Sequence, residues 1–217
     1  MSCQPIQSYL MEQRVDYIAR YEPSVKAFVD ETFDSDRVLD AIVQSDERLP
    51  LKGLLLGVKD IINVDQFPTR CGSVLPARLF NGPQASCATR LFKAGAVMVG
   101  KTVTAEFAVS DPGPTRNPRN LNHTPGGSSS GSAAAVAAGF CDIALGTQTS
   151  GSVIRPAGYC GTFGYKPSFG RVALDGVLPY SKSMDHIGLF AKDMSTMAAT
   201  LPILVTDWRN TKDSLVN

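Results

Sequence analysis

The 217-residue chain is poor in histidine, with His123 and His186 far apart and neither in a G-x-S-x-G elbow. Nothing therefore supports a Ser-His-Asp triad. Cysteine is also sparse: Cys3, Cys71, Cys87, Cys141 and Cys160 are odd in number and form no C-x-x-C pair. That argues against a disulfide framework or zinc site and for a reducing compartment, with the thiols as small buried hydrophobes. Clusters of metal-ligand residues are lacking, so no metal is expected. No charge of one sign dominates, since 21 Lys and Arg face 20 Asp and Glu. A basic face is not forced, and nucleic acid or an anionic membrane is not favoured as a partner. No apolar run approaches the roughly 18 residues of a membrane span. The opening "MSCQPIQSYLMEQRVDYIAR" has charges throughout and no apolar core of signal-peptide length. The default expectation is a soluble, cytoplasmic protein, long enough for one large domain or two small ones.

What is present alternates between helical and strand-like texture. Residues 8–21 read as a helix, with Leu10, Val15 and Ile18 near helical spacing. Residues 23–48 read as polar and helical, offering Phe28, Val29, Leu39, Ile42 and Val43 for a buried face. "LLLGVKDIINV" (54–64) is a β-rich apolar run broken by Lys59-Asp60. A helix ending at Gly95 precedes the short strand "AVMVG", and "FCDIALGTQT" (140–149) is another apolar strand entering a loop. Residues 161–172 are Gly-rich and aromatic, and 192–204 read as a final helix. This alternation indicates an α/β architecture with no internal repeat or domain linker.

Three segments break the local rule for their setting. Lys59 lies in an apolar strand, where an ammonium must be paired, reach solvent or be held neutral. The plainer alternative is a strand end at which Lys59 pairs with Asp60 or meets water. "TPGGSSSGSAAAVAAG" (124–139) has four glycines and four serines, the composition of a spacer, yet runs into a strong helix former, Ala133–Ala138. A glycine-rich turn entering a helix aims backbone N–H groups at one point, suited to an anion or developing negative charge. It lacks the lysine of a nucleotide P-loop. "GTQTSGSVIRPAGYCG" (146–161) sets Thr147, Thr149, Ser150 and Ser152 in a loop after a strand, which suits a nucleophile and its oxyanion donors, or an ordinary surface turn.

Together these runs, with "CGS", "AGAVMVGKTVTAEFA", "TRNP", "GTFGYKPSFGRV" and "SMDHIGLFAKDM", resemble the amidase signature family in order and spacing across about residues 50–200. The resemblance implies a mixed β-sheet core flanked by helices, with 1–48 as a helical lead-in, within one domain. It also implies a Ser–cis-Ser–Lys triad: Ser152 as nucleophile, Ser128 as bridging serine after a cis Gly127–Ser128 peptide, and Lys59 as base. Backbone N–H groups of Thr149, Ser150, Gly151 and Ser152 match the oxyanion loop. The implied activity is hydrolysis of a small carboxamide to carboxylate and ammonia through an acyl-enzyme, with no metal or organic cofactor. Within the same chemistry the runner-up is the amidase subunit of a glutamine-dependent tRNA amidotransferase. From another class the competitor is a non-catalytic remnant or interaction protein.

The departures from the family pattern are specific. Gln148 stands where many relatives have an acid supporting the loop. Ser150 replaces a glycine, which leads us to expect lower or altered activity. Arg155 lies three residues after Ser152, a register resembling a malonamidase-like branch. It is a candidate clamp for a substrate carboxylate, or else a brace for its own loop. Family members are roughly twice as long, so the chain is expected to hold the N-terminal part of the fold. It would then be truncated and open to a homodimer or complementing chain.

Overall fold

Short strands, four of them buried along their length or nearly so, assemble a five-stranded sheet in the computed structural model, which describes residues 4–109 and 111–209. Strands β1 (Leu55–Lys59), β2 (Val97–Thr102), β3 (Ile143–Gln148), β4 (Phe163–Tyr165) and β5 (His186–Ala191) lie in the order β2-β1-β3-β5-β4. Only β4, at the sheet edge, is largely open. β1 is parallel to β2 and β3, whereas β5 is antiparallel to β3 and β4. This is the expected mixed sheet. β1, β2 and β3 are buried at every position, which explains their unalternating apolar texture.

Neighbouring strand residues point to opposite faces. On one face Leu56, Val58, Ile143 and Leu145 pack with α3 (Ser86–Lys93) and α6 (Met194–Leu204). On the other, Leu55, Val97 and Ala144 pack with α1 (Gln4–Val25), α2 (Ser35–Gln44), α4 (Ser130–Ala137) and α5 (Ile154–Cys160).

Several boundaries differ from the sequence reading. Helix 8–21 extends to the whole of α1, while 23–48 is helical at its start and again only over α2. Between them the chain turns through Lys26 (φ 54°) and Glu31 (φ 67°), and the Glu22 carboxylate accepts the Phe28 amide at 2.7 Å. Asp34 restarts the helix by accepting the Arg37 amide. Val43, expected inside, is 78% exposed. The run 54–64 shortens to β1 because the amides of Ile61 and Ile62 fold back onto the Lys59 carbonyl. β5 and α5 had no counterpart in the sequence reading. Pro156 sits in the first turn of α5, where its missing N–H has no intrahelical partner to lose. Cys3 and the tail from residue 210 lie outside the described residues.

The stretch that looked like a spacer is the most enclosed helix of the fold: Ser130 through Val136 of α4 are all buried. A Cβ at Gly131 would collide with the Ala27 carbonyl and the Val103 amide, so only glycine permits this backbone-to-backbone approach.

Asp142, just before β3, pins α1 to the sheet. Arg14 reaches both its oxygens at 3.1 and 2.9 Å, Lys192 pairs with it at 2.7 Å, and the Leu55 amide donates at 2.8 Å. Asp142→Ala takes one partner from Arg14 and leaves the buried Leu55 amide without its acceptor, and is expected to lower stability by about 2 kcal/mol. Urea denaturation reads this directly: an unchanged midpoint would show that α1 is held by packing alone.

Candidate active site

Lys59 ends β1 fully buried, and its Nζ lies 2.9 Å from Ser128 Oγ and 2.7 Å from Thr147 Oγ1. Both partners are hydroxyls. Asp60, the partner that the plainer sequence reading allowed, is engaged elsewhere. It pairs with the buried Lys101 at 3.0 Å and accepts the Arg70 amide at 3.1 Å, while Lys101 also donates to Thr69 Oγ1 at 3.0 Å. Burial depresses both amines, but Lys101 has Asp60 in contact to oppose it. Burial brings Lys59 down to about 7, with the charge of Asp185 pulling the other way.

The Gly127–Ser128 peptide is cis, and the Ser128 carbonyl accepts the Ala105 amide at 3.0 Å. The serines that follow are stitching. Ser129 Oγ donates to the Thr147 carbonyl (3.1 Å) and accepts the Thr147 amide (3.2 Å), closing the loop onto β3. Ser130 Oγ reaches the Val103 carbonyl and Ser132 Oγ the Leu145 carbonyl. Ser128 is the one whose hydroxyl meets Lys59.

The loop after β3 is shaped by Gln148, whose Oε1 accepts the Val153 and Ile154 amides at 2.8 and 3.0 Å and so opens α5. An amide oxygen thus gives the loop its support. Ser152 is 7% exposed, and its carbonyl faces the Ser129 amide at 3.4 Å. Among the described residues no hydrogen bond joins the Ser152 hydroxyl to Ser128; such contacts are commonly loose in ligand-free sites and tighten around substrate. Ser150 is exposed and lies outside the left-handed region, so its backbone makes no demand for glycine. Thr149 Oγ1 bonds Asp185 Oδ1 at 2.5 Å, and Asp185 Oδ2 accepts the Tyr180 and Ser181 amides.

Arg155 directs Nε and Nη2 to the Gly127 carbonyl at 3.1 and 2.7 Å, bracing the serine loop. It also lines an open cleft of about 290 Å³ with Ser128, Gly126, Gly127 and Tyr159. Of the functional neighbours, sequence reasoning passed over Thr147 as one loop hydroxyl among several. Asp185 carried no signal beyond its place in "SMDHIGLFAKDM". The cysteines offer no rival nucleophile among the described residues: burial pushes the thiols of Cys71, Cys87 and Cys160 up to about 12.

A family model described as Amidase matches residues 10–217. Over 204 residues the chain is 41% identical to a glutamyl-tRNA(Gln) amidotransferase subunit of Synechococcus sp. (strain RCC307), covering 89% of this chain and 42% of that protein. Its fold superposes on native peptide amidase from Stenotrophomonas maltophilia with TM-score 0.81 at 33% identity, covering 95% of this chain and 46% of that one. For the corresponding glutamyl-tRNA(Gln) amidotransferase subunit of Thermotoga maritima the TM-score is 0.79 at 33% identity, covering 93% and 44%. Sheet and matches together define an α/β chain of amidase type. It belongs to the amidase signature family, and it spans less than half the length of these relatives.

The depressed Lys59 amine has a signature independent of activity. Between pH 7 and the ordinary lysine value of 10.5 the unfolded chain binds the proton that the folded chain has released. Stability from this group therefore rises with pH across that window, by at most about 1.4 kcal/mol per pH unit. Compared with Lys59→Met by urea denaturation at pH 7 and pH 10, the wild type is expected to gain on the variant at the higher pH. A difference that stays constant would mean the amine is not depressed.

Proposed function

We propose that this site is the acyl-transfer centre of a serine amidase that hydrolyses a small carboxamide to carboxylate and ammonia. The observation that carries the reading is the 2.9 Å contact between Ser128 and a buried Lys59 amine whose pKa falls to about 7. An uncharged amine can accept the Ser128 proton while Ser128 takes that of Ser152, freeing Ser152 Oγ to attack the amide carbon. Backbone N–H groups of Thr149, Ser150, Gly151 and Ser152 would meet the oxyanion. The proton returns through Ser128 to the leaving nitrogen, ammonia departs, and water cleaves the resulting ester by the same relay. The scheme calls for no metal or organic cofactor.

A second reading shares this chemistry and is favoured by the 41% identity to a glutamyl-tRNA(Gln) amidotransferase subunit. In it glutamine is the amide, and the ammonia passes to an aminoacyl-tRNA bound elsewhere in an assembly. The "GTQT" loop and the malonamidase-like register of Arg155 weigh against that reading, whereas the identity to these relatives weighs for it.

A fluorophosphonate probe followed by mass spectrometry tests the shared chemistry. The adduct is expected on Ser152, at a rate that climbs through pH 7 and falls at least about 100-fold in Lys59→Met and Ser128→Ala. A folded chain that takes no label would favour the non-catalytic reading. Ammonia release from glutamine against simple amides then separates the two substrates. Because Arg155 braces Gly127, Arg155→Ala is expected to slow carboxylate-bearing and neutral amides alike; a loss confined to the former would establish a carboxylate clamp instead.

A further inference from the structure

Asp185 stands immediately before β5, whose first residue His186 pairs in register with Gln148 of β3. That places Asp185 beside the segment through which β3 passes into the Thr149–Ser152 loop. It is 7% exposed, and both carboxylate oxygens are used. Oδ1 takes the Thr149 hydroxyl at 2.5 Å; Oδ2 takes the Tyr180 amide at 2.8 Å and the Ser181 amide at 2.7 Å. Among the described residues no ion pair reaches it. A buried carboxylate held by three neutral donors has no adjacent cation to cancel its field.

Asp185 also lines a cavity of about 10 Å³ together with Thr147, Thr149 and Tyr180. Thr147 is also the residue whose Oγ1 holds Lys59. Charges facing Lys59 can be assigned element by element. From β2, Lys101 is tied to Asp60, which itself follows β1. β3 and the loop before α4 bring hydroxyls, Thr147 and Ser128. The segment before β5 brings Asp185, which shares its small cavity with Thr147, the residue that holds Lys59. His186, next along, turns its Nδ1 to the Met184 carbonyl at 2.7 Å.

We propose that Asp185 is a positioning residue of this site, holding the Thr149–Ser152 loop in place with one oxygen while setting a single negative charge beside Thr147, the residue that holds Lys59. The two jobs act through different physics. The Thr149 bond fixes where the backbone N–H donors sit, and so governs how well a developing oxyanion is met. The charge favours the ammonium and so limits how far burial can depress the amine. A base depressed too far would be ready at every pH but too weak to draw the proton, so a value near the working pH serves best. The inference rests on Lys59 acting as the base.

The test is the rate of fluorophosphonate labelling at Ser152 from pH 5 to pH 10 in the wild type, Asp185→Asn and Thr149→Val, each first shown to be folded by its thermal melt. Asp185→Asn removes the charge and is expected to move the midpoint of the rise toward acid by about half a pH unit or more. Thr149→Val keeps the charge and loses the bond, so its plateau should fall about tenfold with the midpoint in place. An unmoved midpoint in Asp185→Asn, or the same lowered plateau and nothing else in both variants, overturns the inference. If Asp185→Asn does not fold, Asp185→Glu decides. A lowered plateau at an unshifted midpoint supports the proposal, and any other pattern overturns it. A wild type unlabelled at every pH would instead remove the amidase reading on which the inference stands.

Discussion

Everything distinctive about this site follows from one constraint: a lysine amine enclosed by protein with hydroxyls, and no carboxylate, in contact. A buried ammonium without a counter-ion is costly, and the amine relieves that cost by releasing its proton near neutrality. The contrast with Lys101 sits on the neighbouring strand. It is equally enclosed, but Asp60 stands against it, so the same residue type serves as half of an ion pair. What separates the two lysines is which neighbour the fold hands to each.

The rest of the fold can be seen as the means of keeping Lys59 in that company. β1 carries it into the middle of the sheet, between β2 and β3, where water does not reach. α4 brings Ser128 up to it, and can do so because Gly131 lets the helix backbone press onto Val103 and Ala27. Ser129 then clasps both backbone polar groups of Thr147, fixing the serine turn and the end of β3 as one unit. Gln148 and Asp185 shape the loop beyond from its two ends, one by feeding the start of α5 and one by holding Thr149.

Much of this is legible in the amino-acid order. The strand–helix alternation pointed to an α/β sheet, because buried parallel strands show as unbroken apolar runs. The conflict between a spacer-like "GGSSSGS" and a rigid alanine helix marked the serine turn. Less legible were β5 and α5: β5 was read only as part of a motif, and α5 begins among loop-like residues with a proline in its first turn. The 23–48 segment misled because its helical composition continues through Lys26 and Glu31, where the backbone is left-handed for reasons no local propensity records.

The amino-acid order by itself determined the family, three of the five sheet-forming segments and the residues worth watching, since these depend on local pattern and ordered motifs. Only the tertiary structure decided the partners: that Asp60 belongs to Lys101, that Thr147 shares Lys59 with Ser128, that Arg155 turns to Gly127, and that Asp185 lies behind the loop. Such pairings join residues tens of positions apart. Electrostatics and hydrogen bonding act through distance in space, which the chain acquires only on folding.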